Sequence, residues 1–179
     1  QALRACGATP VEVRLPKDLE GLDALILPGG ESTTIGKLLL RYHLLQPIRS
    51  LGQSGLPIWG TCAGMILLAQ EVVGGLPDQP VLGLMNLRVH RNAFGRQVDS
   101  FQAELSCPWL GEAPFPAVFI RAPVAESLGP PLEVLAQYQD KIVAARQGNL
   151  VATSFHPELS GDWRMHQWFL DHVVPIPAG

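Results

Sequence analysis

Pro57-Ile58-Trp59-Gly60-Thr61-Cys62-Ala63-Gly64-Met65-Ile66-Leu67-Leu68-Ala69 is the stretch whose reading decides the fold. A proline opens a short apolar run, small residues follow, and an apolar segment then continues without Gly or Pro until Gly74. That order predicts a strand, a tight turn and a helix. Cys62 stands at the turn, with Gly60 and Gly64 flanking it at two residues' distance on either side. The pattern Gly-x-Cys-x-Gly is the thiol form of the Gly-x-Ser-x-Gly nucleophile elbow. In that elbow a side chain at either flanking position would collide with the neighbouring strand or helix.

A sulfur at the first turn of a helix faces backbone N–H groups without helical partners and the positive end of the helix dipole. Both favour thiolate over thiol. The N–H of Ala63 points into the same space and is suited to stabilising an oxyanion. Free cysteine is also common core filler, so the elbow needs a base from elsewhere in the chain before Cys62 reads as a nucleophile.

The 179 residues, 47% of them hydrophobic and 16% charged, fit one globular domain over residues 1–179 with a sizeable core. A formal net charge of -3 gives no electrostatic footprint for nucleic acid or an anionic membrane. No apolar run approaches the roughly 20 residues of a membrane-spanning helix. Cys6, Cys62 and Cys107 are too few and too scattered for a disulfide framework or a zinc site, so a reducing, cytoplasmic setting is expected for a soluble protein. The chain opens on Gln1-Ala2-Leu3-Arg4-Ala5-Cys6-Gly7, which reads as a helix end stopped by Gly7. A native N-terminal strand and its loop are expected to be missing from this sequence.

Pro10 to Arg14 alternates as a strand would, and Leu22 to Leu27 is a continuous apolar run suited to a central parallel strand. It ends in Pro28-Gly29-Gly30-Glu31-Ser32-Thr33-Thr34, a turn able to present backbone N–H groups to an anion, with Ser and Thr available to cap a helix from Ile35 to about Leu45. Open α/β sheets bind ligands at such strand ends. A phosphate loop is a poorer fit, because the Gly-x-x-x-x-Gly-Lys-Ser/Thr spacing is missing and Glu31 would repel phosphate. From Val81 the texture changes to short strands: Val81 to Asn92, Gln97 to Leu105, Phe115 to Arg121, Leu132 to Tyr138, Lys141 to Arg146 and Leu150 to Phe155. Asp162 to Val174 then predicts a closing helix with Met165, Trp168, Phe169 and Val173 on its core face, and Pro175 to Gly179 stops it.

Of the five histidines, His156 stands out in Ser154-Phe155-His156-Pro157-Glu158, at the end of an apolar strand. In an extended segment His156 and Glu158 point to the same side, and a carboxylate beside an imidazole holds its tautomer. Cys62, His156 and Glu158 therefore form a candidate triad. His43, His166 and His172 lie in helical stretches and read as surface residues, while His90 precedes Arg91 in a strand. No histidine spacing suggests a metal site, and no cofactor is expected.

Gly60-Thr61-Cys62-Ala63-Gly64 with a late His156-Pro157-Glu158 resembles the class I glutamine amidotransferase family. Three further segments bring the resemblance closer to the branch of that family that serves pyridoxal 5′-phosphate synthesis. They are Leu27 to Thr34, Arg91-Asn92-Ala93-Phe94-Gly95-Arg96-Gln97-Val98-Asp99-Ser100-Phe101, and Phe119-Ile120-Arg121-Ala122-Pro123. The likeness covers nearly the whole chain. His90 departs from it, standing where an acidic residue is expected before the Arg-Asn pair.

The resemblance implies an α/β fold with an open, mostly parallel sheet flanked by helices, of flavodoxin-like three-layer form with extra antiparallel strands in the second half. It also implies hydrolysis of L-glutamine to glutamate and ammonia, with Cys62 attacking the amide, His156 moving protons and Glu158 orienting His156. The N–H groups of Gly30 and Ala63 would form the oxyanion hole, each worth about 3 kcal/mol. Gly30, Glu31, Ser32, Arg91, Ile120 and Arg121 would line the glutamine site. The two arginines have a physical rationale there, since the substrate's α-carboxylate needs a cationic partner. For Arg96 a surface ion pair or a partner contact is the better reading. The implied partner is a pyridoxal 5′-phosphate synthase subunit, in a large hetero-oligomer, that receives the ammonia through a tunnel. A glutaminase of another pathway, a cysteine peptidase on the same elbow and a catalytically silent partner-binding module are the rival readings.

Overall fold

A computed structural model describes residues 1–91, 93–94 and 99–176. Arg96, the beginning of the strand expected from Gln97, and Pro177 to Gly179 lie outside the described residues. Helix α1 (Ala2–Ala5) ends before Gly7, whose φ of 83° is open to glycine without strain. Strand β1 (Leu25–Leu27) leads into α2 (Ser32–Arg41), and α3 (Leu45–Gln53) precedes β2 (Ile58–Thr61). Helix α4 (Ala63–Leu68) then gives way to β3 (Ala69–Val73) and β4 (Met85–His90). The second half supplies β5 (Ser100–Leu105), β6 (Phe115–Ile120), β7 (Val124–Ser127), β8 (Glu133–Tyr138), β9 (Lys141–Gln147) and β10 (Leu150–Thr153), before α5 (Arg164–His172) closes the chain.

The main sheet runs β1-β2-β10-β9-β7-β4-β3, with β8 on β9, while β5 and β6 form a separate hairpin. β1, β2 and β10 are mutually parallel, and the strands of the second half pair antiparallel around β9 and β7. The α/β architecture with antiparallel strands in the second half is therefore as the sequence implies. Fully buried Trp59, Met65, Leu67, Leu68, Phe115 and Phe155 fill the core between sheet and helices. None of the described helices is long and apolar enough to cross a membrane.

Several local expectations are corrected. Among the described residues β1 pairs with β2 alone, at one end of the strand order. Pro10 to Arg14 forms no strand; Val11 and Val13 of this segment line a cavity of about 920 Å³ together with Leu25 and Leu27 of β1. The helix after Cys62 stops at Leu68, and Ala69 turns to ψ 150° to begin β3, where Val72 and Val73 favour an extended backbone. β7 was not expected at all. His43 sits in the turn after α2 with φ 58°, outside any helix. His166 is buried at 5% exposure between the rings of Trp59 and Trp163, where the sequence suggests a surface position. Met165, Trp168, Phe169 and Val173 are core, as their spacing predicts.

Candidate active site

β2 delivers Cys62 to the end of the sheet with φ 52° and ψ −105°, a backbone conformation L-residues rarely adopt. The flanking glycines explain how the turn closes. A Cβ on Gly60 would overlap the backbone of Gly64, and a Cβ on Gly64 would overlap the carbonyl of Leu27 at the end of β1. The elbow is thus wedged against the neighbouring strand, which leaves Cys62 at the first turn of α4 with 7% exposure. Ala63 opens the helix, so its N–H belongs to the group without an intrahelical acceptor.

β10 runs parallel to β2 in a register that pairs Thr153 with Thr61, and the Cys62 N–H donates to the Thr153 carbonyl at 2.8 Å. The two strands therefore end side by side, and the chain after β10 carries His156 towards the sulfur. Phe155 is fully buried against the ring of Phe119, and the His156 N–H donates to the Val118 carbonyl at 2.8 Å. The same β6 brings the Ile120 carbonyl within 3.7 Å of Cys62 Sγ, which donates to it.

His156 Nδ1 lies 2.7 Å from Glu158 Oε1. The segment is not extended as anticipated: Pro157–Leu159 forms a single 3-10 turn, and Glu158 reaches back to the ring from inside it. Hydrogen bonding to the Cys62 sulfur, and then to Glu158, pushes the His156 pKa up to about 10 against the opposing effect of burial. Burial works against charge on Glu158, yet the hydrogen bond and the charge of His156 hold its carboxyl below the ordinary value. The sulfur on one side and the carboxylate on the other therefore favour the protonated form of the imidazole.

Gly29 and Gly30 form the turn between β1 and α2, and Gly30 takes φ 142°. Glu31, rather than a Ser or Thr, caps α2: its carboxylate accepts from the backbone N–H groups of Thr33 at 3.0 Å and Thr34 at 2.7 Å. The Thr34 hydroxyl bond, opposed by some burial and joined by those backbone bonds, brings its pKa down to about 2. Arg91, at the end of β4, sets Nη2 3.0 Å from Glu31 Oε1. Glu31, Ser32 and Arg91 thus meet in one cluster. Arg121 stands apart from them with φ 45° and a 75% exposed side chain, 3.5 Å from Asp99. Gln79 also enters the cluster, donating to Ser32 Oγ at 2.8 Å. The sequence does not flag it, since Leu76-Pro77-Asp78-Gln79-Pro80 reads only as a turn. Among the described residues no group of three or more His, Cys, Asp or Glu is placed to hold a metal ion.

The sequence signature of the SNO glutamine amidotransferase family matches residues 1–175. The chain belongs to that family. Within it, the chain is 61% identical to pyridoxal 5′-phosphate synthase subunit PdxT of Moorella thermoacetica, over 97% of this chain and 91% of that one. It is 59% identical to the subunit of the same name from Pelotomaculum thermopropionicum, over 97% and 88% of the two chains. A crystal structure described as glutamine amidotransferase superposes with a TM-score of 0.88 at 51% identity, covering 95% of this chain and 89% of that one. The structure of PurLQS from Thermotoga maritima shares the fold at a TM-score of 0.63 and 20% identity, over 96% and 89% of the chains. The SNO family assignment agrees with the amidotransferase resemblance drawn from the Cys62 elbow and the late His156-Pro157-Glu158.

Proposed function

We propose that this chain is a glutaminase that hydrolyses L-glutamine to glutamate and ammonia and hands the ammonia to a pyridoxal 5′-phosphate synthase subunit. The 2.7 Å contact of His156 with Glu158, beside a cysteine held on a strained elbow, carries the reading. The family and the names of its relatives support the substrate and the partner.

In this reading the Cys62 thiol passes its proton to His156, the thiolate attacks the side-chain amide carbon, and the carbonyl electrons move onto oxygen. The N–H groups of Ala63 and Gly30 receive that oxyanion. Imidazolium His156 gives its proton to the amide nitrogen, the C–N bond breaks, and ammonia leaves a thioester on Cys62. His156 then takes a proton from water, the resulting hydroxide adds to the thioester, and the Cys62 sulfur departs with glutamate as product. Glu158 holds the ring in place throughout and stabilises its charge whenever it carries the second proton. Arg91, anchored on Glu31, faces the substrate's α-carboxylate with Ser32 beside it, while Ile120 and Arg121 line the site from the end of β6, apart from that cluster. The chain acts as one domain, in the cytoplasm, where Cys6, Cys62 and Cys107 stay unpaired.

Glutamate release from glutamine, measured with and without the synthase subunit for the parent chain and Cys62→Ala, tests this. The parent acts, more strongly with its partner, and the variant does not. Release of amines from peptides, or equal glutamate release by Cys62→Ala, overturns it.

A further inference from the structure

The segment between β3 and β4 is held against the helices at several points. A Cβ on Gly36 of α2 would stand 2.7 Å from the Pro80 carbonyl, so the segment lies directly on that helix. Arg49 of α3 donates from Nε to the Leu82 carbonyl at 3.0 Å and from Nη2 to the Val81 carbonyl at 2.8 Å. These contacts fix Gln79 at the edge of the Glu31, Ser32 and Arg91 cluster.

Gln79 uses both ends of its amide there. Nε2 donates to the hydroxyl of Ser32, which is 2% exposed, at 2.8 Å, and Oε1 accepts from Arg91 Nη1 at 3.5 Å. The same Nη1 donates to Thr33 Oγ1 at 3.4 Å while Nη2 engages Glu31. On the opposite side a Cβ on Gly75 would stand 2.6 Å from Gln79 Oε1, so nothing larger than glycine leaves the amide its place. A neutral carboxamide donates to the hydroxyl and accepts from the guanidinium with one side-chain head, from two separate atoms. A carboxylate lacks the donor and an ammonium lacks the acceptor.

We infer that Gln79 is a positioning residue for the bound amino acid, its amide fixing Arg91 and Ser32 relative to each other so that both meet the substrate's amino-acid end. The inference rests on the proposed glutaminase reading, in which Arg91 and Ser32 belong to the glutamine site. Gln79 is distant in role from the reacting amide, so its loss weakens binding without slowing the chemical step.

Steady-state glutamine hydrolysis in the presence of the synthase subunit tests it with the parent, Gln79→Ala, Arg91→Ala and the double variant. Gln79→Ala is expected to raise KM about tenfold, with kcat within about twofold of the parent. Arg91→Ala is expected to raise KM at least as much, and the double variant to raise it by clearly less than the product of the two single effects, because part of what Gln79 does passes through the arginine. A double variant whose KM increase is the product of the two single effects, or a Gln79→Ala whose kcat falls at unchanged KM, overturns the inference. An active parent with an unaltered KM in Arg91→Ala overturns the assignment of Arg91 and this inference with it, whereas an inactive parent overturns the glutaminase reading itself. Should Gln79→Ala fail to fold, Gln79→Asn takes its place under the same expectations, since its shorter side chain reaches Ser32 or Arg91 but not both.

Discussion

A methyl group on Gly29 would stand 2.5 Å from Cε1 of His156. The turn after β1 and the ring after β10 are therefore in direct contact, and the imidazole has no room to retreat on that side. Gly29→Ala is expected to push the ring off Cys62 and cut the rate at least about tenfold. The fold should persist, since the clash is with a side chain. Activity compared with thermal unfolding of the same variant checks this, and unchanged turnover would contradict it.

The elbow glycines behave differently, because their clashes are with backbone. Gly64→Ala is expected to destabilise the protein by about 3 kcal/mol. Cys62 lies in a backbone region where glycine is at ease, so Cys62→Gly should be more stable than Cys62→Ala by about 1 kcal/mol while both are inactive. Urea unfolding of the three variants measures these differences.

His156 should titrate well above the ordinary histidine range, with its imidazole resonances shifting near pH 10. The shift comes first from Cys62 and then from Glu158. Cys62→Ala is accordingly expected to lower the midpoint more than Glu158→Gln does, and Glu158→Gln to lower kcat by about 10²-fold or more. A folded pKa above the unfolded one stabilises the protein fully below about pH 6.5. That contribution fades as pH rises through about 10. Proton NMR and unfolding at several pH values follow both effects.

Glu31 gives the opposite sign. Its folded pKa of about 2 lies below its unfolded value, so its contribution is present at pH 5 and lost as pH falls through about 2. Its side chain is 52% exposed, so solvent screening keeps the effect modest. Glu31→Gln should cost about 1 kcal/mol at pH 7, where it removes the cap of α2 and the partner of Arg91. The difference from the parent should shrink as pH falls from 5 towards 2, as urea unfolding across that range will show.

The pairing of Cys62 with His156 was legible because each residue carries a local signal, two glycines in one case and a strand end followed by proline in the other. β1, β2 and α5 were legible from apolar runs and helical spacing. What escaped depends on tertiary neighbours. Leu68 and Ala69 mark no visible boundary, yet the chain changes from helix to strand there because β4 offers Ala69 to Val73 a ladder. His166 looks like a surface residue until Trp59 and Trp163 close over it. Gln79 carries no pattern of its own, and only the packing of Pro80 on Gly36 brings it to Ser32.

β10 enters the sheet between β2 and β9, so the partner of the Cys62 sulfur comes from a segment well downstream of the elbow. A ribosome releases residue 62 long before residue 156, and the newborn polypeptide carries an unarmed thiol until that later strand threads into place. On the proposed triad, a chain that stops short of Glu158 is inert, so activity is withheld from every truncated copy that lacks the segment after β10.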